Sequence, residues 1–102
     1  MCVRIGQMAT APALPRLEFY ERADCPICDE ARDTLQQVLE DRVRRGVPVP
    51  RVAYVRIHGQ PDLEARYGAL VPVLALGGRE MSLTTSYQAI ARFIDALMPQ
   101  LA

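Results

Sequence analysis

Cys25 and Cys28, separated by Pro26 and Ile27 in the run "ERADCPICDEA", are the side chains of this sequence best placed to do chemistry. Such a pair can be a disulfide switch, half of a metal site, or two small residues packed at a helix start. The free N–H groups of a helix N-terminus stabilise a thiolate, and in CxxC motifs the thiol pKa falls from about 8.5 into the range of roughly 3.5 to 7.5. Arg22, three residues before Cys25, adds to that pull, while Asp24, Asp29 and Glu30 oppose it, so a moderately activated thiol is expected. Helical spacing also separates the two sulfurs. Cys28 lies one turn before Ala31 and two before Leu35 on the face expected to be buried, whereas Cys25 sits at the end and faces out. That asymmetry suits an exposed nucleophile that attacks a disulfide and a sheltered thiol that then displaces the product.

A structural zinc site takes about four ligands. Besides the CxxC, this chain offers only Cys2 and the single histidine, His58. One chain is a poor set, but two chains sharing a metal or an iron–sulfur cluster through their CxxC pairs would complete one. A metal-binding module is therefore the second reading, and a non-catalytic adaptor the third. Cys2 reads as an unpaired surface thiol. His58 is the only side chain that titrates near neutral pH without perturbation, and in a loop it reads as a surface residue.

The elements that must position the cysteines follow from patterning. "RLEFY" (Arg16 to Tyr20) is apolar and aromatic and reads as a strand, with Tyr20 at its end either lining a groove or in the core. Pro26 suits a first helical position, and Asp29, Glu30 and Asp33 sit where the helix dipole favours acids. Cys28, Ala31, Leu35, Val38, Leu39 and Val43 recur at helical spacing, which predicts a helix from Pro26 to Arg45 closed by Gly46. "RVAYVRI" (Arg51 to Ile57) reads as a second strand, parallel to the first across a right-handed crossover. "PDLEARYG" gives a helix of about two turns, with Pro61 near its start and Gly68 as its stop. "VPVLAL" and "REMSL" flank Gly77-Gly78, the spacing of a tight antiparallel hairpin. Tyr87, Ile90, Ala91, Ile94, Leu97 and Met98 form the stripe of a last helix, capped by Thr84, Thr85 or Ser86. The order is βαβαββα.

With 102 residues, half of them apolar, the chain has the makings of one core. Residues 1–15, ending in "APALP", read as a flexible leader within which Met8 is an alternative start, and residues 16–102 as the folded domain. The formal net charge is zero, and all 12 basic residues are arginine, so no nucleic-acid footprint shows. Three cysteines do not make the framework of a small secreted protein. No stretch has the apolar run of a signal peptide or the roughly 20 apolar residues of a membrane span. A cytoplasmic monomer is expected.

"CPIC" after a short strand, followed about 45 residues later by "LVPVLAL" and a Gly-Gly hairpin, resembles the thioredoxin superfamily and, within it, the glutaredoxins. The nearest likeness is to small bacterial glutaredoxin-like proteins of the pattern "LYxRxxCxLCDxA … YGxxVPVL … GxE". The resemblance spans residues 16–98. It implies an α/β thioredoxin-like fold, with a four-stranded mixed sheet and helices on both faces. It also implies thiol–disulfide exchange in cell redox homeostasis, with Cys25 attacking and Cys28 resolving. Pro72 would be the cis-proline facing the disulfide, and Val71 would offer its backbone to substrate. The expected substrate is a disulfide-containing protein or a glutathione mixed disulfide. No bound cofactor is expected, with glutathione as the reductant. Arg22 falls where glutaredoxins commonly carry a lysine that meets a glutathione carboxylate, and Pro26 is expected at the same surface. The chain departs from thioredoxins in lacking the Trp and Gly-Pro of "WCGPC". It departs from glutaredoxins in having "SLTTSY" before the last helix, where Thr84 and Thr85 either donate to a carboxylate or cap the helix.

Overall fold

The computed structural model describes residues 15–98; residues 1–14 of the leader, with Cys2 and Met8, lie outside the described residues. The elements are β1 (Arg16–Glu21), α1 (Pro26–Arg45), β2 (Arg51–Arg56), α2 (Pro61–Tyr67), β3 (Val73–Leu76), β4 (Arg79–Ser82) and α3 (Tyr87–Leu97). This is the βαβαββα order expected. Ile57, which the pattern places in the second strand, lies just past its end and is buried.

The sheet runs β2-β1-β3-β4. β1 pairs in parallel with β2, and β3 pairs antiparallel with both β1 and β4, so the sheet is mixed. Alternation along β1 turns Leu17 and Phe19 toward one face, where they join Leu74 and Leu76 of β3. Ala31, Leu35 and Val38 of α1, with Ile90 and Ile94 of α3, close that core. On the other face α2 lays Tyr67 against Tyr20, with ring centroids 4.3 Å apart. Helices thus lie on both faces.

α1 ends differently from its pattern. Val43 is 65% exposed, while Arg42 is fully buried. Position 42 continues the stripe from Leu35, Val38 and Leu39, and a guanidinium is tolerated there because it is partnered. Arg42 donates through Nε to the Pro48 carbonyl at 2.7 Å and through Nη1 to Asp95 of α3. Its aliphatic stem packs like a core side chain while the head ties two helix ends together. Gly46, at φ 72°, then stops the helix in the left-handed conformation a glycine adopts without strain.

Candidate functional site

β1 runs into a tight turn at the front of α1, where Asp24 takes a left-handed φ of 55°. Cys25 follows as the N-cap of α1, in extended conformation, and Pro26 takes the first helical position. The Cys28 amide N–H donates to Cys25 Sγ at 3.2 Å. A cap normally offers an oxygen to this orphan donor; here a sulfur takes the role. Cys25 and Cys28 are joined as a disulfide, their Cα atoms 5.2 Å apart.

Cys28 is fully buried. Cys25, expected to face out, is only 9% exposed, because Val71, Val73, Ile57 and Tyr67 pack around the pair. The asymmetry between the sulfurs survives, but it is the difference between a narrow opening and none.

Val71 and Pro72 precede β3, and the bond between them is cis, as the resemblance implies. Both are buried. The Pro72 carbonyl accepts a hydrogen bond from the Leu83 amide at 2.9 Å, which tethers the loop after β4 to this segment. Leu83 has a φ of 58°, a conformation rare for a leucine. Three exposed apolar side chains belong to these segments: Ile27 between the cysteines at 44%, Leu70 ahead of Val71 at 40%, and Leu83 at 55%. Of these three, only Ile27 is legible in the sequence, from its place inside the motif.

Other expected site residues take simpler places. Thr84 Oγ1 accepts from the Ser86 amide at 3.3 Å, and Ser86 is the N-cap of α3, its Oγ accepting from the Ala89 amide at 3.2 Å. Thr85 has no side-chain hydrogen bond among the described residues, and Arg22 and His58 are exposed with no ion pair there. Among the described residues no three His, Cys, Asp or Glu side chains gather as a metal site would require.

One charged pair beneath the site goes unremarked in the sequence reading. Glu21 is buried at the end of β1 and receives a hydrogen bond from Arg32, which lies one helical turn beyond Cys28. Hydrogen bonding to Glu21 is the main reason the Arg32 pKa rises above its ordinary value. The signal was present: Glu21 continues the inward alternation of Leu17 and Phe19, and Arg32 is four residues from Cys28.

The tyrosines Tyr20 and Tyr67 back the cysteine cluster. Tyr20 donates to Glu18 at 2.9 Å and Tyr67 to Glu80 at 2.5 Å. Burial, then those hydrogen bonds, push both phenols above their ordinary value, so they stay neutral donors.

No curated protein matches this chain. Among solved structures it is similar to the Northeast Structural Genomics target protein XcR50 from X. campestris. The X-ray structure of that protein is 32% identical, with a TM-score of 0.65, covering 78% of this chain and 96% of the other. Its solution structure is also 32% identical, with a TM-score of 0.62, covering 83% and 97%. The sequence profile of the Glutaredoxin-like domain (DUF836) matches residues 16–95, nearly all of the described fold. A dithiol pair at the start of α1, carried on this strand order and matched along this length, means that the chain belongs to the glutaredoxin-like domain family.

Proposed function

We propose that this protein is a thiol–disulfide oxidoreductase working through Cys25 and Cys28. The observation that carries the reading is the Cys28 amide aimed at Cys25 Sγ from 3.2 Å. In the reduced protein the same donor faces a Cys25 thiolate at the positive end of α1, which favours the charged, reactive form. The thiolate attacks one sulfur of a substrate disulfide, forming a mixed disulfide and releasing the other sulfur as a thiol. Cys28, one turn along and fully buried, then gives up its proton and attacks Cys25 Sγ. The second substrate thiol leaves, and the protein is left as the disulfide seen here. A reductant restores the dithiol, and glutathione in the cytoplasm is the proposed source.

Arg22, Pro26, Val71 and Pro72 are the proposed substrate surface, with Thr84 and Thr85 at its margin. Ile27, Leu70 and Leu83, each exposed in a segment that carries the disulfide or adjoins the cis-proline, are proposed to form an apolar collar that receives a protein disulfide, since apolar side chains grouped at a domain surface chiefly mark where something binds. Arg22 has its guanidinium available for a carboxylate of a glutathione mixed disulfide.

The test is a redox titration in glutathione buffers, with thiols trapped by alkylation and both cysteines read by mass spectrometry. A reversible two-electron couple is expected. Cys28→Ser should accumulate a mixed disulfide on Cys25, and Cys25→Ser should abolish exchange. Thiols that stay reduced across the whole range would overturn the reading.

A further inference from the structure

Among the described residues, a positive φ is found at Gly46, Gly59, Gly77 and Gly78, at Asp24, and at Leu83. Glycine takes this conformation freely and aspartate tolerates it, but a leucine there is strained by its own Cβ. Leu83 follows directly on β4. Its amide donates to the Pro72 carbonyl at 2.9 Å, which extends the β3–β4 register by one pair beyond Val73 and Ser82. On its other side Thr84 Oγ1 accepts from the Ser86 amide, and Ser86 caps α3. The left-handed backbone is therefore held from both ends, whatever side chain it carries.

Nothing in the fold calls for that side chain to be leucine. It is 55% exposed and belongs to neither of the apolar clusters of the described residues. The position thus carries two costs at once, a strained backbone and apolar surface left in water. Glycine would remove both, and the chain uses glycine at four other left-handed positions. Ile27 and Leu70 are exposed too, but neither has a positive φ. Strained residues persist chiefly at binding and catalytic sites, and the place of Leu83 fits that rule. It is hydrogen-bonded to Pro72, and Val71, the residue before Pro72, packs with Cys25 and Cys28.

We propose that Leu83 is the specificity-determining residue for the substrate, its side chain meeting an apolar residue that adjoins the cysteine of an incoming protein disulfide. The inference rests on disulfide exchange at Cys25 and Cys28 and adds to it the kind of disulfide that is preferred. Glutathione, whose cysteine lies between a glutamate and a glycine, offers no apolar side chain to this contact. Leu83 therefore favours protein disulfides over glutathione mixed disulfides.

The test compares two peptide disulfides that differ only in having leucine or serine beside the cysteine, with kcat/KM measured for each and melting temperatures taken for every variant. Wild-type protein should prefer the leucine-flanked peptide. Leu83→Asn should reduce that preference by about fivefold, as loss of a partly buried leucine contact would. The same variant should melt about 2–6 °C higher, because asparagine relieves the left-handed backbone. Leu83→Met keeps both the apolar side chain and the strain, and should hold the preference and the melting temperature of the wild type. A preference undiminished in Leu83→Asn, or a melting temperature that fails to rise, would overturn the inference and leave disulfide exchange standing. Wild-type protein that exchanges with neither peptide would overturn both.

Discussion

At the scale of single residues, the redox poise of a dithiol is set by how well its reduced, thiolate form is stabilised. Two groups act on it here from known places. The Cys28 amide faces Cys25 Sγ, and Arg32 lies one turn beyond Cys28, a spacing that puts helix side chains about 5–6 Å apart at Cβ. Arg32 contributes little as long as Glu21 holds its guanidinium. Glu21→Gln removes the buried carboxylate charge and leaves the cation near the pair balanced only by the exposed Asp29, 3.4 Å from its Nη1. The potential should then become less negative by on the order of 10–30 mV, where 30 mV corresponds to about tenfold in the exchange equilibrium. The glutathione titration measures this directly, and an unchanged potential would mean that the ion pair serves packing alone. The identity and order of the two cysteines were readable from spacing, because the CxxC falls at a strand-to-helix junction. The depth of Cys25 was not, because the residues that cover it, Ile57, Tyr67, Val71 and Val73, come from three later segments.

At the scale of elements, two side chains join parts of the chain that local pattern cannot connect. Arg42 ties the end of α1 to α3 through Asp95, and its Nη2 is buried without a partner. Asp95→Ala leaves a buried guanidinium short of its counter-charge and should lower stability by about 1–3 kcal/mol. Arg42→Met keeps the stem and removes the charge, so its loss should be smaller, as for other buried ion pairs replaced by apolar groups. Urea midpoints of the two variants decide the order, and the reverse order would show that the head group rather than its neutralisation matters. Tyr67 fastens α2 to the sheet. Its pKa is raised above the ordinary 10.0, by burial first and then by the bond to Glu80. Its contribution to stability is therefore full below about pH 10 and is lost as the pH climbs through the folded value. Tyr67→Phe should cost about 1 kcal/mol at neutral pH and flatten the fall in stability above pH 10, measured as urea midpoints from pH 8 to 11. The helices and hairpin were legible because their periods and stops are local: Pro26 and Gly46 bound α1, and Gly77-Gly78 turn the hairpin. Val43 was misplaced because hydropathy alone prefers a valine to an arginine as an inward residue. Only the approach of Asp95, 53 positions away, makes Arg42 the better choice.

At the scale of the whole molecule, the charge is balanced and the surface proposed to receive a partner beside the disulfide, the collar of Ile27, Leu70 and Leu83, is apolar. A protein without net charge has little long-range field with which to steer a partner, so recognition at the collar must rest on contact. Exchange with a peptide disulfide flanked by leucine or phenylalanine should accordingly change by less than about twofold between 50 and 500 mM salt, because burial of apolar surface is not screened as charges are. A glutathione mixed disulfide held by Arg22 should slow markedly over the same range. The collar itself is tested by combining Ile27→Ser, Leu70→Ser and Leu83→Asn. Asparagine tolerates the left-handed φ of 58° at position 83 better than leucine does, so this substitution does not strain the loop. Each buried methylene is worth about 0.8 kcal/mol, so even partial loss of three contacts should lower kcat/KM for the apolar peptide by about tenfold or more. Exchange with a small symmetrical disulfide, which reaches the sulfur without touching the collar, should be unchanged. Equal losses for both substrates would mean that the substitutions disturbed the thiols and that the collar selects nothing. A loss confined to the apolar peptide would mark the three side chains as the surface through which a protein partner is chosen.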